Sequence, residues 1–145
     1  MENLLISACL LGVDCKYDGG NNAQKAELLK KLRERYRLIP VCPETASGLK
    51  SPREPSERVP GRVIGRSGAD VTAEFERGGE TALSLALRFG CRKALMKERS
   101  PSCGSGRIYD GTFSGTVIPG DGVASEKLKA AGIEVYGESE SEKLL

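Results

Sequence analysis

Apolar residues fall in short runs and in helical periods, and the two alternate along the chain. Leu4 to Cys9 is a brief apolar run followed by a Gly- and Asp-rich stretch, which predicts a buried strand. From Ala23 to Tyr36, Ala26, Leu29, Leu32 and Tyr36 recur on one face among Lys, Glu and Arg, as in an amphipathic helix. Leu38 to Cys42 predicts a second strand, although Pro40 cannot donate to a ladder. Residues 43–69 hold Pro43, Pro52, Pro55 and Pro60 with several glycines, and are expected to form a long excursion with a brief strand at Arg62 to Arg66. Loops of that length inside a compact domain are often functional.

Asp70 or Thr72 is expected to cap a helix that runs to Phe89 and stops at Gly90, with Gly78-Gly79 delaying its start. Arg92 to Lys97 predicts a third strand. The loop Arg99 to Gly104 and a turn-rich stretch to Gly122 follow, with Tyr109 to Phe113 as an ordinary turn. Val123 to Ala131 predicts a short helix ended by Gly132, and Ile133 to Tyr136 a fourth strand. Ser139-Glu140-Ser141-Glu142 has the form of a capping box opening a final helical turn. Strands alternating with helices imply one α/β domain over residues 1–145. The expected sheet is mostly parallel, of about four strands with helices on both faces, a Rossmann-like three-layer arrangement. Ligands of such folds sit beyond the carboxyl ends of the strands, where the strand order switches.

Composition narrows the chemistry. The 145 residues suffice for one domain with a core. A net charge of +2 leaves no strong nucleic-acid footprint. No apolar run approaches the ~20 residues of a membrane helix. The start of the chain lacks a signal peptide's basic region, which points to the cytoplasm and to reduced thiols. There is no histidine, so no Ser-His-Asp triad, Cys-His dyad or His-ligated metal can be built. Whatever reacts must use Cys, Asp, Glu, Ser, Lys, Tyr or a cofactor.

That directs attention to the five cysteines. Cys9 and Cys42 fall at the ends of the first two strands and Cys103 in the loop after the third, so a parallel sheet brings all three to one edge. Cys15 can approach the same place. Cys91 lies at the opposite edge and reads as a packing residue. Three thiolates at one site suit a soft metal or an iron–sulfur cluster, and three ligands leave one coordination position open. Spacing alone does not separate zinc from iron. Glu44, in Cys42-Pro43-Glu44, is placed for general acid–base work. Ser100 precedes Cys103 by three residues, Asp14 lies beside Cys15, and Lys97 leads into the third loop. Competing readings are a non-catalytic cluster or zinc module that senses redox state or binds a partner, a metal-free enzyme with a nucleophilic cysteine, and a domain whose cysteines only pack.

Several motifs then carry a resemblance. Ile6-Ser7-Ala8-Cys9-Leu10-Leu11-Gly12, Cys15-Lys16-Tyr17-Asp18-Gly19 and Cys42-Pro43-Glu44 resemble the thiouracil desulfurase domain family, long catalogued as a bacterial domain of unknown function. Pro52-Arg53-Glu54-Pro55, Asp70-Val71-Thr72, Ser100-Pro101-Ser102-Cys103-Gly104 and Ile108-Tyr109-Asp110-Gly111 continue the match in order. The resemblance implies a [4Fe-4S] cluster held by Cys9, Cys42 and Cys103, with a free iron that takes sulfur from a thiolated pyrimidine. Glu44 and Ser100 assist, and Cys15, Asp14 and Lys97 support. The implied partner is a small thiolated nucleobase or nucleoside, with thiolated RNA also open.

Overall fold

Leu4, Leu5 and Ile6 are each 0% exposed, yet they belong to two different cores. The computed structural model describes residues 1–145. Its strands are β1 (Glu2–Ser7), β2 (Tyr36–Val41), β3 (Ser56–Val59), β4 (Arg62–Gly65), β5 (Lys93–Met96), β6 (Arg107–Tyr109), β7 (Val117–Pro119) and β8 (Glu134–Gly137). Its helices are α1 (Ala26–Arg35), α2 (Pro43–Ala46), α3 (Thr72–Arg88) and α4 (Val123–Ala130), with 3-10 helices at Ala8–Leu11 and Glu138–Leu144.

The two-residue period of β1 sorts its side chains. Leu4 and Ile6 pack with Leu29 and Leu32 of α1, and with Tyr36, Leu95 and Leu144. Leu5 faces the other way, against Ala82 and Ala86 of α3, Leu128 of α4, Ala94 and Met96. Helices therefore cover both faces of a four-stranded sheet of order β2-β1-β5-β8. All of its pairings are parallel. Pro40 is tolerated because β2 is an edge strand, pairing only with β1. The chain leaves β1 toward β2 and returns on β1's other side as β5, so the strand order switches between β1 and β5. There the Lys97 N–H donates to Ser7 Oγ at 2.9 Å.

Several local expectations need correction. The first helix starts at Ala26 rather than Ala23, and the chain is already β2 at Tyr36. Residues 43–69 contain α2 and the hairpin β3–β4, and the stretch before Gly122 contains a second hairpin, β6–β7. Strands of three or four residues carry too little alternation to read. Gly78 and Gly79 do not delay α3. A Cβ at Gly78 would run into the Pro43 carbonyl of α2, and one at Gly79 would crowd Lys127 of α4. The pair is what lets three helices approach. Of the two expected caps Asp70 serves, its Oδ1 accepting from the N–H of Thr72, the first residue of α3, and from the Thr72 hydroxyl. At the C-terminal end Glu140 Oε1 accepts from the Gly137 N–H at 3.2 Å, two residues earlier than the expected box.

Candidate active site

Ser7 ends β1, and the chain tightens at once into the 3-10 helix that carries Cys9. Gly12, at φ 94°, closes that turn by donating to the Cys9 carbonyl at 3.1 Å. Cys42 directly follows β2 as the residue before α2, whose first position is Pro43. Glu44 is thereby fixed two residues beyond Cys42. Cys103 lies in the loop after β5. Ser100 Oγ accepts from the Ser102 and Cys103 N–H groups at 3.1 and 3.0 Å. The first turn of α4 holds the same loop from behind, with Ser125 Oγ donating to the Cys103 carbonyl at 2.7 Å.

These segments border one cavity of about 580 Å³, lined by Cys9, Cys15, Cys42, Cys103, Glu44, Ser100 and Lys97. Cys91 is buried in the core under α3, outside that lining. Asp14 also lies outside it and accepts from Asn21 Nδ2 at 2.8 Å. All five cysteines are free thiols.

Burial dominates the thiol electrostatics. It raises Cys9, against the donated hydrogen bond of Asn22 Nδ2 at 3.5 Å, with the charge of Cys42 adding to the rise. Burial pushes Cys103 up to about 12, and burial followed by Cys42 pushes Cys15 up to about 12. Burial and mutual repulsion therefore favour the protonated thiols, and a bound cation is what would hold them as thiolates. No three Cys, Asp or Glu side chains are placed to share a single metal ion, which is what the zinc reading requires. Four thiols spread around a roomy cavity fit a polynuclear iron–sulfur group instead. The thiols available to hold it are those of the lining, Cys9, Cys15, Cys42 and Cys103.

Glu44 is held from two sides. Arg53 Nε donates to its Oε1 at 3.0 Å, with Nη2 in ion-pair contact with the same oxygen at 3.0 Å, and Ser102 Oγ donates to its Oε2 at 2.8 Å. The same guanidinium reaches the Cys15 and Lys50 carbonyls, each at 3.0 Å. Arg53 thus ties the cysteine loop to the carboxylate. Lys97 Nζ pairs with Glu138 Oε2 at 2.7 Å.

The cavity mouth was hidden in the sequence. Tyr17, Tyr109 and Phe113 line it. Phe113 has φ 57°, and Glu57 Oε1 holds the loop around it by accepting from the Gly111 and Phe113 N–H groups at 2.9 and 3.1 Å. The Arg66 guanidinium lies 5.7 Å from the Phe113 ring centroid. The Tyr109 to Phe113 segment is therefore a wall of the site as well as a turn. Its one signal was the conjunction of two aromatics with Asp110-Gly111.

The model of the 2-thiouracil desulfurase family matches residues 4–140. The chain belongs to this family. A solved structure described as a [4Fe-4S]-dependent thiouracil desulfidase, TudS, matches with a TM-score of 0.95 and 46% identity, over 99% of this chain and 95% of that one. The uncharacterized protein YbbK of Bacillus subtilis (strain 168) is 38% identical over 98% of this chain and 99% of its own length. The family match spans all four thiols of the cavity and both hairpins above it. No helix is long and apolar enough to cross a membrane.

Proposed function

We propose that this protein is a [4Fe-4S]-dependent desulfidase, which replaces the sulfur of a thiolated pyrimidine by oxygen and releases hydrogen sulfide. The observation that carries this reading is the convergence of Cys9, Cys42 and Cys103, from three different loops, on a cavity that also holds a clamped carboxylate. Membership of the desulfurase family and the 46% identity to TudS support it. When bound, the cluster supplies a Lewis-acidic iron with affinity for soft sulfur, which polarises a thiocarbonyl.

The rest falls to the chain's own residues. Tyr17 and Phe113 offer flat faces to a planar ring at the mouth. Ser100 orients the attacking water, and Glu44 takes its proton as oxygen bonds to the ring carbon. Breaking of the carbon–sulfur bond returns that proton to the departing sulfur, and the second proton of the water follows it as the remaining C–OH becomes the carbonyl. Water and thiocarbonyl thus become carbonyl and hydrogen sulfide, with no net electron transfer. Cys15 supports the site through its carbonyl, which receives Arg53. Lys97 supports it as a cation close enough to Cys9 to favour the thiolate. The substrate in this reading is a free base or nucleoside, and the setting is the reducing cytoplasm, where thiols and cluster survive.

Anaerobic reconstitution with iron and sulfide, followed by incubation with 2-thiouracil, 4-thiouridine and thiolated RNA, tests the proposal. Sulfide release is expected from the small substrates. Serine at Cys9, Cys42 or Cys103 is expected to abolish iron binding, and Glu44→Gln to keep the visible cluster band while lowering turnover by about 10²–10⁴-fold. Sulfide release that survives chelation and full aeration would refute it in favour of a metal-free thiol enzyme.

A further inference from the structure

Ser100 and Glu44 share no direct hydrogen bond, although the proposed reaction assigns both to one proton. Ser102 stands between them. Its Oγ lies 3.0 Å from Ser100 Oγ and 2.8 Å from Glu44 Oε2, and the residue is 1% exposed, so bulk water does not compete for the hydroxyl. Resting on the desulfidase reading, we infer that Ser102 is the middle member of a proton relay that runs from Ser100 to Glu44.

Donor and acceptor counting fixes the direction. A hydroxyl has one proton and two lone pairs. Ser100 Oγ already accepts from the Ser102 and Cys103 N–H groups, so its own proton is what it has left to offer. The acceptor for that proton is Ser102 Oγ. The single proton of Ser102 has two acceptors in range, Glu44 Oε2 at 2.8 Å and Cys103 Sγ at 3.7 Å. The shorter, charge-assisted bond to the carboxylate prevails. The chain is therefore polarised Ser100 to Ser102 to Glu44, with the Arg53 guanidinium paired to Oε1 at its end. Two backbone N–H groups aimed at Ser100 Oγ also stabilise the negative charge that gathers there during transfer.

The proton balance closes. As water attacks the ring carbon, Ser100 Oγ gives up its proton toward Ser102, and the lone pair so freed takes the proton of the water O–H bond that breaks. The former Ser100 proton moves to Ser102, and the former Ser102 proton moves to Glu44 Oε2. Both hydroxyls end as they began, and one O–H bond has formed on the carboxyl. Ser102 acts through its two neighbours and is a positioning and relay residue.

The test pairs a readout on cluster-free protein with one on the loaded enzyme. In cluster-free protein, infrared difference spectra are expected to show the Glu44 carboxylate band, identified by its loss in Glu44→Gln, shifting in Ser102→Ala. In the loaded enzyme, Ser102→Ala is expected to lose about 10²-fold in kcat at unchanged KM and iron content, with Ser102→Thr recovering most of the loss. The dependence of wild-type rate on solvent deuterium fraction should be curved, as for several protons in flight, and straight in Ser102→Ala. Wild-type kcat in Ser102→Ala, a straight wild-type plot, or no recovery in an iron-replete Ser102→Thr overturns the relay. Loss of iron from Ser102→Ala overturns it too, in favour of a role in seating Cys103. Wild-type enzyme that binds iron but releases no sulfide would instead remove the desulfidase reading, and the relay with it.

Discussion

Replacing Arg53 by Met removes the guanidinium while keeping most of the apolar stem. Three hydrogen bonds go with it, one each to Glu44 Oε1 and the Cys15 and Lys50 carbonyls, and so does the Nη2–Oε1 ion-pair contact. The two side chains are 11% and 14% exposed, so the stranded carboxylate recovers little hydration. Breaking a buried pair from one side costs about 3–5 kcal/mol, and the residual exposure places this case near ~3. At this chain length each kcal/mol moves the melting temperature by about 2–4 °C, so a fall of roughly 6–12 °C is expected in cluster-free protein. Arg53→Lys should fall part of the way, because one ammonium cannot serve the carboxylate and both carbonyls with the same fork. Thermal melts of Arg53→Met, Glu44→Gln and the double variant provide the decisive comparison. If Arg53 acts through Glu44, the double variant is less damaged than the sum by about 1–3 kcal/mol. A melting temperature within two degrees of wild type for Arg53→Met, or strict additivity, would refute this account of the clamp.

Gly78→Ala should destabilise by about 1–3 kcal/mol through overlap with the Pro43 carbonyl, whereas helix propensity alone predicts a gain of about 1 kcal/mol. A raised melting temperature would contradict the packing argument. Glu54 accepts from the N–H and hydroxyl of Ser67, which holds its carboxyl below the ordinary 4.5. A depressed folded value contributes stability above the unfolded pKa, and that contribution is lost as pH falls through the folded one. Glu54→Gln should accordingly flatten the acid limb of melting temperature against pH below about 4.5, while an unchanged limb argues against the contribution. Cys91→Ala should cost about 1 kcal/mol of stability and leave iron content at the wild-type level, since its thiol lies in the core away from the cavity; iron loss would show that the core and the site are coupled.

The sheet was legible because its strands obey a simple rule. Leu4-Leu5-Ile6 and Ala94-Leu95-Met96 are continuous apolar runs, which only a strand covered on both faces can bury. Of the hairpins only β4 was legible, as the brief strand expected at Arg62 to Arg66; β3, β6 and β7 were not, for the opposite reason. Ser56-Glu57-Arg58-Val59 has no hydrophobic period, and its place is set by tertiary bonds, from Glu57 to the 111–113 loop and from Arg58 Nη1 to the Asp121 carbonyl at 2.6 Å. Such bonds span more than fifty residues and leave no trace in a local window.

The same division separates the thiols of the site from the groups that tune it. A parallel sheet converts "end of a strand" into "one edge of the molecule", so Cys9, Cys42 and Cys103 could be placed together without any local motif. Nothing comparable converts Arg53 or Ser102 into neighbours of Glu44, because their positions depend on how a loop folds back and which rotamer it presents. Gly78-Gly79 joins the two cases. Along the chain the pair reads as a weakness in a helix. In space it admits the Pro43 carbonyl against α3, and Pro43 begins the turn on which Glu44 rides. A residue pair that lowers helix propensity is therefore what allows the carboxylate to stand beside the thiols. Local conflict with propensity, offset by a close approach elsewhere, marks the place where this fold gives up helix propensity to position its chemistry.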